Sequence, residues 1–185
     1  MSVFYGAQIK LCPHRSILSP TLSNNLTIGY TAVRDDRDPN GEPFPYVLIE
    51  DGNGEITFGS EQFSTANLLN QDILTITDNL SFYKGKHTFT LGTHNEFYKV
   101  DNLFLAFNYG SYEFDDLQTF LNDGNSGFFI RNYSLVDNLS GDDSEAIASF
   151  NAGQFGVHFQ DEIQISDKLK VTAGLRLDLP FYGNT

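Results

Sequence analysis

Between residues 154 and 181 the chain alternates in polarity. Phe155, Val157, Phe159, Ile163 and Ile165 fall on one parity, and Leu169, Val171, Ala173, Leu175, Leu177 and Leu179 follow on the same parity. Polar residues occupy most positions between them. A period of two predicts a β-hairpin with one apolar and one polar face, turning at Ser166-Asp167-Lys168. The pattern recurs upstream. In 22–34, Leu26, Ile28, Tyr30 and Ala32 oppose Thr27, Gly29 and Thr31; in 71–83, Leu74, Ile76, Leu80 and Phe82 oppose Thr75, Thr77, Asn79 and Ser81. Lys84-Gly85-Lys86 signals a tight turn. The returning strand, 87–100, sets Thr93 and Asn95 on the same side as Phe89, Leu91 and Phe97 and is the weakest of the series.

The segments between these hairpins are long. Residues 35–70 and 102–151 are acidic, mixed in pattern and rich in turn residues. They predict loops holding only short elements: a β element at 46–49, short strands within 101–114 and 127–135, and one or two helical turns in 115–123. Three-residue turns at one end of the strands and long loops at the other are the layout of an outer-membrane barrel. Strand length agrees, because thirteen residues tilted by about 45° advance roughly 30 Å, the thickness of a bilayer's hydrocarbon core. Phe82, Tyr83, Phe155, Phe181 and Tyr182 lie near strand ends, where aromatic girdles sit. The fold expected is all-β: antiparallel amphipathic strands forming part of a transmembrane β-barrel, an open curved sheet with long extracellular loops. The rival is a soluble β-sandwich ligand-binding module, whose apolar strand faces pack on a second sheet.

Composition narrows the function. With 24 acidic and 11 basic residues the net charge is −13, so a nucleic-acid partner is not expected. No apolar run reaches the length of a transmembrane helix, and the single Cys12 excludes an internal disulfide framework. No phosphate loop, Gly-x-Ser-x-Gly or His-Glu-x-x-His motif is present, and an enzyme is not expected. Residues 1–20, MSVFYGAQIKLCPHRSILSP, depart from the pattern and contain no apolar stretch of secretory-signal length.

The segment HFQDEIQISDKLKVTAGLRLDLPF, 158–181, resembles the strand-turn-strand signature of TonB-dependent outer-membrane receptors. The residues that carry the likeness are Gln160, Asp161 and Glu162 on the descending strand and Gly174, Leu175, Arg176 and Asp178 on the rising one. Pro180-Phe181 fits the subgroup whose N-terminal domain is carboxypeptidase-regulatory-like. Residues 74–97 and 21–39 resemble further hairpins of that subgroup, in the same order. The resemblance covers 21–185 and implies a fragment of a larger barrel with an N-terminal plug. It also implies outer-membrane localisation, contact with lipid, and energised uptake of an extracellular ligand when the TonB complex pulls on the plug. The class of ligand, whether chelated metal, glycan or peptide, stays open.

On this reading His94, Glu96, His158, Glu162, Arg176 and Asp178 face the lumen, and Asp161 falls on the apolar side near the short turn. Asp36, Asp38 and Asn40, followed by Gly41, copy the first half of a calcium loop, and Asp51-Gly52-Asn53-Gly54-Glu55 has a similar composition. The twelfth position of the first is Val47 and not a glutamate, so a plain turn weighs more than a Ca²⁺ site. No other cofactor is expected.

Overall fold

The computed structural model describes residues 2–38, 42, 44–122, 124–136 and 146–183, with backbone alone for 2–5 and 38. Six long strands form one antiparallel series: β1 (Ser2–Ser19), β2 (Leu22–Asp38), β5 (Asn67–Lys84), β6 (His87–Phe104), β9 (Ala148–Ser166) and β10 (Leu169–Tyr182). They lie side by side in that order. The strands exceed the amphipathic stretches in the sequence, because β5, β6 and β9 continue for several residues into segments expected to be loop.

Local chemistry sets the three turns. Pro20 starts the β1–β2 turn with a φ already suited to it. Gly85 supplies a φ of 61° in the two-residue β5–β6 turn, as a type II′ hairpin requires at its first central position. Asp167-Lys168 joins β9 to β10, with a register shift between Leu169 and Lys170. Beyond that shift the pairing is regular: Thr172 opposite Glu162, Arg176 opposite His158, Leu177 opposite Val157 and Leu179 opposite Phe155. Each strand therefore adds to the same two faces.

Residues 2–19, set apart by their sequence, are a strand. Among the described residues β1 is an edge strand, the setting in which a proline such as Pro13 is tolerated. Its polarity is reversed. Leu11 packs 3.2 Å from the position a Cβ would take on Gly29, a residue of the polar face of β2. Alternation could not announce a strand whose apolar parity points to the polar side.

A sandwich would bury the apolar face of this sheet. Instead Leu91, Phe159, Leu175, Leu177 and Leu179 are 59%, 48%, 84%, 57% and 58% exposed. The described helices include none long and apolar enough to cross a membrane, a statement that does not bear on strands.

The chain divides into two compact units: the strand wall (7–33, 71–100, 149–185), and a second unit built from 1–6, 34–70 and 101–148. The second unit holds a four-stranded sheet in the order β4 (Gly54–Phe58), β3 (Tyr46–Asp51), β7 (Ser111–Phe114), β8 (Phe128–Ile130). The β3–β7 pair is parallel and the other two are antiparallel. Val47 and Ile49 are buried on one side of β3, opposite Phe58 and Ile56 of β4. Phe120 of helix α1 (Leu117–Leu121) meets Phe58 and Phe114 edge-on, at 5.7 and 5.1 Å between ring centres. The Asp51–Glu55 string is thus a hairpin turn with Gly52 at φ 64°.

Candidate functional site: the polar face of the strand wall

The polar face begins with hydroxyls and amides that match across strands. The Ser81 and Thr90 hydroxyls are 3.2 Å apart, and Thr77 Oγ1 lies 2.7 Å from His94 Nδ1. His94 Nε2 is 3.5 Å from Glu96 Oε1, whose other oxygen accepts from the Tyr98 hydroxyl. These contacts form two polar groups along the facing sides of β5 and β6.

The hairpin β9–β10 carries the remaining predicted residues on the same face. Arg176 stands opposite His158 in register and grips Asp178 through Nε at 2.8 Å and Nη2 at 2.8 Å. Gln154 also donates to Asp178. Glu162 pairs with Lys170 at 2.8 Å. The structure thus joins His94 to Glu96 and Arg176 to Asp178. It places His158 between β6 and β10, and leaves Glu162 nearer the turn with its own lysine.

Gly92 makes this packing possible. A Cβ there would fall 2.2 Å from Asn79 Oδ1 and 2.4 Å from His158 Cε1. The two side chains from β5 and β9 therefore close over β6 only because β6 offers bare backbone at that point. Around them the face is concave. A cavity of about 670 Å³ draws its lining from five strands, including Arg15, Ile17, Asn25, Asn79, His158 and Gln160. A groove to which β1, β2, β5, β6 and β9 all contribute means that the sheet curls toward its polar side. Arg15 and Ile17 were missed by sequence reasoning because β1 was not read as a strand. Gly92 was visible only as an interruption of the polar parity.

The opposite face is apolar, and several of its polar residues are paired. Asn24 donates to Asp78 at 2.7 Å, and the Tyr30 hydroxyl donates to Asp72 at 2.6 Å. Thr93 donates to the Gly156 carbonyl at 2.8 Å and accepts from Asn95 at 2.9 Å. Asp161 sits 2.8 Å from His87 Nδ1, and His87 stacks on Phe89. Phe97, Phe155 and Phe181 form a second aromatic group, about 26 Å along β6 from Phe89 at strand spacing. Tyr83 turns away from any girdle: its hydroxyl meets Ser23 at 2.9 Å, and it lines the cavity. Pairing is what apolar surroundings demand, since a lone polar group there costs several kcal/mol.

The calcium-loop residues do not form a described site. Asp36 lies exposed within β2, Asp38 ends that strand, and Asn40 lies outside the described residues. Among the described residues no group of three or more His, Cys, Asp or Glu side chains converges as a metal site.

An amphipathic sheet with exposed apolar rows, paired polar groups on those rows and a wet concave face is a wall made for lipid. A family profile described as an outer membrane beta barrel domain matches residues 6–183. The chain belongs to that family; it is a β-barrel segment of a protein of the bacterial outer membrane. No curated protein and no solved structure gives a match.

Proposed function

We propose that the chain is part of the barrel of a TonB-dependent receptor that takes up an extracellular ligand at the expense of inner-membrane energy. One observation carries this reading. It is the hairpin whose Gln160-Asp161-Glu162 and Gly174-Leu175-Arg176-x-Asp178 residues resemble that family's signature, paired in register from Lys170 to Tyr182, and it supports the reading. It has a short turn at one end, a polar face holding Glu162, Arg176 and Asp178, and Asp161 on the apolar face beside a partner.

In this reading residues 35–70 and 102–151 face the outside and capture ligand, and the turns at 84–86 and 166–168 face the periplasm. His94, Glu96, His158, Glu162, Arg176 and Asp178 line the lumen against the plug and the passing ligand. The wall binds and guides; the force comes from the TonB complex acting through the plug. The barrel completed by further strands, the plug, lipid and the ligand are the partners.

Topology and energisation can be measured together. Single cysteines at Asn53 and at Asp167, in a Cys12→Ser background, are labelled on intact cells with a membrane-impermeant maleimide. Labelling at 53 and protection at 167 are expected, together with ligand accumulation that stops when the proton-motive force is dissipated. Labelling at 167 alone refutes the orientation. Accumulation indifferent to the proton-motive force refutes the energised transport.

A further inference from the structure

Charge is divided sharply between the two units. Residues 34–70 and 101–148 hold seventeen of the 24 Asp and Glu and only three of the 11 Lys and Arg. That unit carries −14, and the strand wall nets +1. A field this lopsided attracts cations and repels anions within about a Debye length of the surface.

The same unit presents an open sheet edge. Among the described residues β4 pairs with β3 alone, and all five of its own residues are exposed. The β3–β4 turn has two residues, so Asp51 and Gly54 close the ladder. Hydrogen-bonded pairs then alternate along the strand, which sends the backbone N–H and C=O of Glu55 and Thr57 away from β3. Ile56 and Phe58 point to the apolar side, where Phe58 meets Phe44 at 6.3 Å and Phe120 at 5.7 Å. Ile56, Phe58 and Phe44 remain 39%, 38% and 48% exposed. On the other side Glu50 and Glu55 stand directly opposite each other, like charges with no ion-pair partner among the described residues.

We propose that β4 captures an extended cationic polypeptide by strand addition. The incoming strand completes the ladder at Glu55 and Thr57. Its apolar side chains on one parity rest beside Ile56, Phe58 and Phe44, and its lysines or arginines on the other lie beside Glu55 and Glu50. Main-chain bonds supply affinity and the alternating side chains supply selectivity. A second copy of this chain is a poor occupant, because edge-to-edge pairing would bring two Glu55 rows and two −14 units together. The proposal does not depend on energised transport, since capture occurs on the loop unit itself.

The test uses the full chain in detergent micelles and a fluorescein-labelled peptide, about eight residues long, in which lysine alternates with valine. Fluorescence anisotropy is expected to show saturable binding that weakens as salt rises, and no binding of the matching glutamate–valine peptide. Thr57→Pro removes an outward donor and none of the β3 ladder, and is expected to weaken binding about tenfold. Thr57→Val keeps the donor and is expected to bind like the parent, which separates edge chemistry from a folding defect. Glu55→Lys should also weaken binding and flatten its salt dependence. Equal binding of the two peptides, an unchanged Thr57→Pro variant, or β4-dependent self-association in place of peptide binding would overturn it. Uptake failing in cells while micelle binding persists would count against the transport reading alone.

Discussion

At the scale of single residues, the apolar face shows one recurring feature: several of its polar side chains appear in partnered sets. His87 and Asp161 come from β6 and β9, on the side that carries Phe89 and Phe159. Removing one partner leaves the other to face an apolar medium. His87→Ala is therefore expected to destabilise the folded barrel in micelles by about 1–3 kcal/mol, read by urea unfolding followed by tryptic protection. Replacing both, His87→Phe with Asp161→Val, removes the desolvation problem entirely and is expected to return near the parent. If the double variant is as weak as the single one, the pair does something other than neutralise two polar groups. The sequence announced half of this. Asp161 stood out as a charge on the apolar parity, but its partner lies 74 residues away and was not signalled.

At the scale of elements, legibility followed pattern strength. The strands β2, β5, β9 and β10 were readable because their alternation is consistent over a dozen residues or so. β1 was not, because its apolar parity faces the polar side and its pairing rests on backbone bonds. β4 was hidden in a string of Asp, Gly and Asn that read as a loop, although Gly52-Asn53 between two β-prone runs was the available signal. Helix α1 was expected within 115–123 and is found at 117–121 because Asp116 starts it. Its carboxylate accepts from the Thr119 N–H at 2.7 Å and the Thr119 hydroxyl at 2.8 Å. Those bonds, the backbone one first, hold the Asp116 carboxyl below its usual 3.8. A depressed carboxyl stabilises the cap at pH values above its unfolded pKa and loses that contribution as pH falls through the lower folded value. Acidification below about pH 4 is thus expected to loosen the turn carrying Phe120, with faster peptic cleavage there. Asp116→Asn keeps an acceptor without a titration and is expected to remove the acid dependence. A parent and variant with the same pH profile would show that the cap plays no part.

At the scale of the whole molecule, the sheet raises the problem of its margins. Among the described residues β1 and β10 each have one neighbouring strand, and all fourteen residues of β10 are exposed. In hydrocarbon an unpaired strand edge has no water to satisfy its N–H and C=O groups, so a membrane-spanning sheet survives only when closed. Six strands with these faces therefore need more strands alongside β10 and β1 before they can rest in a bilayer. β10 rises from its turn and β1 descends to one, so both margins accept an antiparallel neighbour. Water is no refuge either, because the apolar row from Leu175 to Leu179 would stay exposed, and the −14 on the loop unit lies elsewhere in the chain. This chain expressed by itself in detergent-free buffer is expected to sediment as heterogeneous aggregates, and to give a discrete particle only in micelles. Sedimentation velocity with and without detergent decides the matter. A single monomer in plain buffer that melts cooperatively would mean that the apolar face is covered by protein, and the assignment of that face to lipid would fall.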